Sequence, residues 1–186
     1  MKPEDTATRS QASVLLVRTW HQDPEYIPQE PEVENLYFED VQPISLASTS
    51  NVGDPDSALP WSAKWNEENY KLGFSSGCSV DPPMFCGEGI ITRAQAATFF
   101  VKVLHGPDFR PPEVSESSFR DVQVYNADGS LTWQPKWIEQ ATYDGLVQVC
   151  GTDMLNMNFR PGEAITRAEV VCMMYHALSA RESGGG

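Results

Sequence analysis

At 186 residues, the chain is long enough for one compact domain or an array of small units and too short for a large multidomain enzyme. It carries 13 Lys and Arg against 26 Asp and Glu, a net charge of −13, which argues against nucleic acid or an anionic membrane as its main partner. No run approaches the ~18 apolar residues of a membrane span, whereas 40% hydrophobic residues and five Trp predict a folded core.

The first predicted element is a helix that begins at a Thr-Arg motif, and this motif occurs three times. The copies are residues 8–12 (TRSQA), 92–96 (TRAQA) and 166–170 (TRAEV), separated by 84 (93 − 9) and 74 (167 − 93) positions. Each has Gln or Glu three residues after the Thr, the pattern of a capping box, in which the Thr hydroxyl accepts a hydrogen bond from the N3 amide. The motif therefore predicts three helix starts.

A second repeated block lies between the Thr-Arg helices. Residues 38–41 (FEDV) correspond to 119–122 (FRDV), and residues 60–78 align without gaps on 132–150. Both longer segments contain Trp-x-x-x-Trp, which places two Trp on one face of a predicted helix. Gly73 and Gly145 stand where a left-handed residue would end that helix. Each full unit therefore contains a Trp-bearing first helix and a Thr-Arg second helix.

These repeats divide the chain into two complete units and one partial unit. The predicted order is a partial repeat with the second helix only (1–20), an acidic Pro-rich linker (21–36), repeat two (37–105), a Pro-rich linker (106–118), repeat three (119–180) and a disordered tail (181–186). Helix 9–20 presents Leu15, Leu16 and Trp20 without a first helix of its own. We expect it to dock on the other repeats or on a neighbouring chain.

The order of motifs resembles the bacterial S-layer homology (SLH) repeats, which open with Phe-x-Asp-Val and a Trp-led helix and continue to Phe-x-Pro and Thr-Arg-Ala-Glu. The closest segment is residues 159–169 (FRPGEAITRAE), and the resemblance covers most of residues 1–20 and 37–178. It implies a mainly α fold, with tandem helix-loop-helix repeats in a pseudo-threefold, spindle-like bundle that has long loops and little or no strand. Repeat two departs from the family pattern in its loop and in Gln95, which replaces the usual Glu.

The resemblance also implies a place and a ligand. Proteins with such repeats sit at the bacterial cell surface and bind wall polysaccharide, often pyruvylated, in grooves between repeats. We therefore expect an extracellular protein whose export signal lies outside this sequence. The predicted function is a non-enzymatic envelope module that binds anionic wall polysaccharide and anchors a surface protein. The alternative is a structural subunit that uses the fold for protein assembly, with another chain or envelope protein completing repeat one.

The groove arginine of the family falls on Arg9, Arg93 and Arg167, each in the first turn of a predicted helix. The helix dipole disfavours a cation there by ~0.3–1 kcal/mol, so another group must compensate. One interpretation is an ion pair with Asp40 or Asp121. The other is an anion site, where the Arg fork and the helix-start amides bind a carboxylate.

Trp side chains raise a similar choice. Trp65 and Trp137 could stack on sugar rings, but their spacing from Trp61 and Trp133 favours core packing. The predicted glycan-binding set joins the three arginines to two aspartates and two tryptophans: Arg9, Arg93, Arg167, Asp40, Asp121, Trp65 and Trp137.

Signatures of catalysis and metal binding are missing from the sequence. It has no Gly-x-Ser-x-Gly, no Walker loop and no His beside a nucleophile motif, so we predict no enzyme and no catalytic residue, and a carboxylate-based hydrolase remains a remote alternative. The three His are scattered, and loop 126–130 lacks the ligand ladder of a calcium site. We predict no metal and no cofactor.

Four cysteines allow three pairings, and spacing alone does not choose among them. Cys78 and Cys150 are equivalent positions in different repeats, so each is expected to find a partner within its own repeat. The prediction is Cys78–Cys86 and Cys150–Cys172, and the alternative is four reduced thiols in a cytosolic protein.

Overall fold

The computed structural model describes residues 2–41, 60–147 and 150–184. Part of predicted repeat two, residues 42–59, lies outside these ranges, as do the last two residues of the predicted tail. Five α-helices and one two-stranded hairpin are present in the described ranges, so the prediction of a mainly α fold is confirmed. None of the described helices is both long and apolar enough to cross a membrane.

One compact unit comprises residues 8–89. It contains α1 (Arg9–His21), α2 (Ala63–Lys71) and a hairpin of β1 (Ser79–Val80) and β2 (Pro83–Met84), which pair antiparallel. The second unit comprises residues 1–7 and 90–186 and contains α3 (Arg93–His105), α4 (Gln134–Tyr143) and α5 (Arg167–Gly184). Each unit therefore pairs a Thr-Arg helix with the Trp-bearing helix that follows it in the chain.

Capping boxes start all three Thr-Arg helices. The Thr8 and Thr92 hydroxyls accept from the Gln11 and Gln95 amides at 3.3 Å, and the two Gln side chains accept from the Thr amides in return. At α5 the Thr166 amide donates to Glu169 at 2.8 Å. The predicted helix starts are confirmed, because each orphan amide of the first turn finds the partner that the motif supplies.

The Trp-bearing helices end as their glycines predict. Gly73 and Gly145 have φ of 78° and 72°, a conformation that costs glycine nothing. The next amide reaches back across the end of each helix, from Phe74 to the Asn69 carbonyl at 3.2 Å and from Leu146 to the Ala141 carbonyl at 2.9 Å. Both helices thus end in a Schellman motif, with Phe74 and Leu146 buried beneath it.

In the unit of residues 8–89, α1 packs on α2 through an apolar stripe and a polar seam. Leu16 and Val17 are fully buried, and the Trp20 ring meets Phe74 edge to face at 5.3 Å. The expectation that helix 9–20 docks on another repeat is met here, since α2 belongs to predicted repeat two. Burying these side chains supplies the stability that an isolated short helix lacks.

In the second unit, α3 is the central helix and packs on both α4 and α5. Its start is tied to the equivalent segments by a closed ring of backbone hydrogen bonds. Ala7 donates to the Ile165 carbonyl at 2.9 Å, Ile165 to Ile91 at 3.1 Å, and Ile91 to Ala7 at 3.1 Å. All three residues lie two positions before a Thr-Arg arginine, so these bonds join the segments that precede the three Thr-Arg motifs.

Helix α5 continues to Gly184 and corrects one expectation. Residues 181–184, which the sequence assigns to a disordered tail, are helical, because Ala180, Arg181 and Glu182 favour helix and nothing stops the helix before the glycines.

Candidate functional site

The candidate site is the start of the Thr-Arg helix, where the three equivalent arginines have three different environments. Arg93 is 1% exposed, and its guanidinium makes four hydrogen bonds. It donates to Glu169 at 2.5 Å and to the Phe159 carbonyl at 2.8 Å. Two further bonds reach Thr152 Oγ1 at 2.9 Å and the Cys150 carbonyl at 3.3 Å. Arg93 therefore holds the protein together and has little donor capacity left for a ligand.

Arg167 occupies a second kind of environment, on the surface. Its side chain is partly exposed and lies 3.4 Å from the Asp5 carboxylate. The backbone amides of Arg167 and Ala168 donate to the carbonyls of Asp5 and Pro3. The segment around residues 3–5 therefore covers the start of α5, and Arg167 takes part in holding it.

Arg9 is buried like Arg93 but lacks its partners. Its residue is 8% exposed, and its Nε atom is buried with no hydrogen-bond acceptor. No side-chain hydrogen bond joins Arg9 to any other described residue. Burial lowers the Arg9 pKa, and the charge of Asp40 opposes that effect. Even so, a guanidinium stays protonated in a protein, so Arg9 is a buried cation without a hydrogen-bonded counter-ion.

The preceding repeat carries different residues at the positions of two Arg93 partners. The positions of Thr152 and Glu169 are occupied in the preceding repeat by Val80 and Gln95. Neither replacement carries a negative charge, and Gln95 uses its side-chain oxygen to accept from the Thr92 amide at 3.0 Å. The Gln95 departure is visible in the sequence, but the partners that surround each arginine are not, because they come from positions far away in the chain.

Another buried atom without a partner occurs on Arg160, whose Nε is also unsatisfied. The rest of that guanidinium is engaged, with Glu163 at 3.0 Å and with the Gly151 carbonyl. Arg160 thus differs from Arg9, whose guanidinium makes no hydrogen bond to another described group.

The two predicted aspartates hold loops instead of arginines. Asp40 accepts from the amides of Phe85 and Cys86, both at 2.7 Å. Asp121 accepts in the same way from Phe159 at 2.8 Å and from the following amide at 2.7 Å. The expectation of an ion pair between a Thr-Arg arginine and Asp40 or Asp121 is therefore wrong among the described residues. Each carboxylate fastens the loop that precedes a Thr-Arg helix.

The helix-start amides of α1 are also occupied. The amides of Arg9 and Ser10 donate to the carbonyls of Gly89 and Gly87, both at 2.9 Å, and the Gln11 amide donates to Thr8. The expectation that these amides would join the arginine in binding an anion is therefore not met. In the described part of this helix start, the donors left for a ligand are those of the Arg9 guanidinium.

Trp65 and Trp137 are buried, as the core interpretation of their spacing predicts. The Arg18 guanidinium lies over the Trp65 ring at 5.1 Å from its centre. Neither Trp presents a free face to a sugar, so their inclusion in the glycan-binding set needs correction. The sequence predicts Trp61 and Trp133 on the same helices, but both residues precede α2 and α4. They are 39% and 48% exposed, so they are better placed to stack on a ring.

Disulfides join Cys78 to Cys86 and Cys150 to Cys172, as the repeat comparison predicts. Among the described residues, one group of potential metal ligands has its atoms close together, namely Cys150, Cys172 and His176. Two of these three are joined to each other in the disulfide, so they offer no thiolate to a metal ion. The two disulfides are compatible with an oxidising, extracellular environment.

No protein-family model matches the chain, and a search of curated proteins finds no significant match.

Proposed function

We propose that the protein is a non-enzymatic envelope module that binds anionic cell-wall polysaccharide at the bacterial surface, with Arg9 as the ligand-binding cation. The proposal rests on one observation, that Arg9 is buried at the start of α1 with an unsatisfied Nε and no carboxylate hydrogen-bonded to it among the described residues. A group in this state is costly to the folded protein unless an anion satisfies it.

The chemistry of the site favours a ligand that presents single carboxylates. A net charge of −13 repels polyanions at long range, so binding has to come from a short-range contact with a local cation. A guanidinium offers parallel donors that fit a carboxylate with two oxygens. The pyruvyl ketal that the SLH resemblance implies carries one carboxylate on each modified sugar, which suits a single arginine.

A sugar ring would find an aromatic surface in the same unit. The 3-10 turn Pro60–Ser62 contacts α1 and carries the half-exposed Trp61. A Trp face can bind the apolar side of a pyranose. Trp61 therefore replaces Trp65 in the proposed glycan-binding set.

Co-sedimentation with purified, acid-substituted wall polysaccharide tests this function. Replacing Arg9 by Gln should weaken binding at least about tenfold, because hydrogen bonds to a charged group contribute roughly 1.5–3 kcal/mol. The matched control is Arg167→Gln, which removes a surface arginine already paired with Asp5 and should change binding less than about twofold. Polysaccharide stripped of its acidic substituents should bind poorly to every variant. Equal binding by Arg9→Gln and the unmodified protein would exclude Arg9 as the ligand cation.

The alternative, a subunit that uses the same fold for assembly, is favoured by a different observation. Helix α5 exposes a face whose equivalents are buried in α1 and α3. The two functions are compatible, because the exposed face and Arg9 are separate features of the chain.

A further inference from the structure

One face of the Thr-Arg helix is buried wherever a Trp-bearing helix packs on it. This face consists of the residues one, four and eight positions after the arginine. In α1 and α3 all six such residues are buried: Ser10, Ser13 and Val17, and Ala94, Ala97 and Val101. Since these positions lie on one side of a helix, they form a continuous strip.

In α1 the strip is covered by α2. Asn66 donates to the Ser10 hydroxyl at 3.1 Å, and Asn69 donates to the Ser13 hydroxyl at 2.8 Å. In the other unit α3 packs on α4. The positions of Asn66 and Asn69 are there occupied by Ile138 and Ala141, which are fully buried. The contact between the strip and the Trp-bearing helix is thus polar in one unit and apolar in the other.

The same strip of α5 is bare. Its members are Ala168, Val171 and Tyr175, all exposed, with Val171 at 43% and Tyr175 at 65%. On the opposite side, Val170, Met173 and Ala177 are fully buried in a unit where α5 packs on α3. Helix α5 is therefore anchored by one face while it presents to solvent the face that its equivalents use to hold a Trp-bearing helix.

We infer that this exposed strip of α5 is a docking site for a Trp-bearing helix carried by a second polypeptide. This helix is of the α4 type, which means that its contact positions are apolar as in α4, whereas those of the α2 type are Asn. The two Trp-bearing helices of the described residues already pack on α1 and α3, so neither covers α5 without uncovering another strip. The docked helix places apolar residues, equivalent to Ile138 and Ala141, against Ala168 and Val171.

The composition of the strip decides between the two types of partner. An α2-type helix carries Asn at both contact positions, and in α1 these amides find the hydroxyls of Ser10 and Ser13. On α5 the equivalent residues are Ala168 and Val171, which offer no acceptor. Two amides buried there would lose their hydrogen bonds with water and gain none, so the α2 type is rejected.

A peptide with the sequence of residues 132–147, acetylated and amidated, serves as the probe for the α4 type. A dye attached to the peptide, with emission distinct from that of Trp, reports binding to the whole, oxidised protein by fluorescence anisotropy. We expect saturable binding below about 1 mM. A second peptide with Ile138→Asn and Ala141→Asn reproduces the α2 type and should bind at least about tenfold more weakly.

Protein variants locate the contact. Val171→Lys with Tyr175→Lys alters two exposed positions, so the fold should persist, as an unchanged circular dichroism spectrum would verify. This variant should weaken peptide binding at least about tenfold. The matched control is Tyr143→Lys, which changes an exposed tyrosine on α4 and should leave the affinity within about twofold.

Several outcomes would overturn the inference. They are the absence of binding up to about 1 mM, equal affinity for the two peptides, or equal affinity of the Val171→Lys/Tyr175→Lys variant and the unmodified protein. The protein could also self-associate without binding the peptide, and Tyr175→Lys could abolish that self-association. This result would assign the strip to a second copy of the chain and would also reject the inference.

Discussion

The two compact units place the same motif in different surroundings. In residues 90–186, Arg93 is bound by a carboxylate, a hydroxyl and two carbonyls, whereas in residues 8–89 Arg9 is also buried but makes no such hydrogen bond to the described residues. The helix starts themselves are alike, with the same capping box and the same amide-to-carbonyl contacts. A motif therefore places a side chain in the fold, and the residues around it decide whether that side chain stabilises the protein or is left to bind a ligand.

The largest expected effect is a difference in stability between the variants Arg93→Ala and Arg9→Ala. Arg93→Ala should lower the free energy of unfolding by about 3–5 kcal/mol, because it breaks the short ion pair with Glu169, which keeps only the longer contact with Arg160 at 4.0 Å, and leaves three acceptors without their donor. Arg9→Ala removes a buried charge that has no hydrogen bond and should cost less than about 1.5 kcal/mol. Urea denaturation at pH 7 measures both values. Equal losses would mean that Arg9 has an internal partner after all.

The second comparison is the stability that the protein loses when the disulfide of each unit is removed. The Cys150–Cys172 bridge closes a loop of sequence separation 22 and the Cys78–Cys86 bridge one of 8. Loop-closure entropy assigns these about 3.4 and about 2.5 kcal/mol. We expect the Cys150→Ala/Cys172→Ala variant to be less stable than Cys78→Ala/Cys86→Ala by about 1 kcal/mol. Thermal unfolding of the two double variants gives the order, and a reversed order would show that entropy does not govern this difference.

The polar seam of residues 8–89 offers a third comparison. Ser13→Ala should cost about 1–2 kcal/mol, because it removes the acceptor of a buried amide on Asn69 whose Oδ1 is already unsatisfied. Adding Asn69→Ala reproduces the Ala97 and Ala141 pair of the other unit. The double variant should recover at least half of the loss in a double-mutant cycle. Strictly additive losses would contradict the equivalence of the two seams.

The smallest effect is a pH dependence from Glu67. Burial raises the pKa of Glu67, although the amides of Phe38 and Tyr37 oppose the shift. A carboxyl with a raised folded pKa favours folding in its protonated form, so its charge costs stability at neutral pH, and the cost fades as pH falls towards 4.5. Glu67→Gln should therefore flatten the fall in stability that the charge of Glu67 causes as the pH rises from about 4.5 to 7. The measurement is the urea midpoint of both proteins across this pH range. A steeper dependence on pH in the variant than in the unmodified protein would contradict the prediction.

Much of the fold could be predicted because its signals are local. The capping box at Thr8 and Gln11 needs only four residues, and Gly73 marks its helix end through a single backbone conformation. The disulfide of Cys150 with Cys172 followed from comparing repeats, which brings distant positions into register. Each of these features can be predicted from neighbouring residues or from the alignment of one repeat with another.

The environment of each arginine could not be predicted in this way. Whether a buried guanidinium is satisfied depends on side chains far away in sequence, as with Arg93 and Glu169, which are 76 residues apart. One signal was present and missed. Pro3 and Asp5 match Pro161 and Glu163 in their distance from the arginine, and their carbonyls cap α5 and α3 in the same manner. The partial repeat therefore includes the loop that precedes its helix as well as the helix itself.

The most direct test of the central claim observes the arginine side chains themselves. In protein labelled with ¹⁵N at arginine, the Nε–H resonances of Arg9 and Arg93 can be followed during titration with a pyruvylated disaccharide, and assigned from Arg9→Lys. The account predicts a saturable shift of the Arg9 resonance, no shift of the hydrogen-bonded Arg93 resonance, and no response to the same disaccharide without pyruvate. An Arg9 resonance that stays unchanged while the disaccharide binds would contradict it.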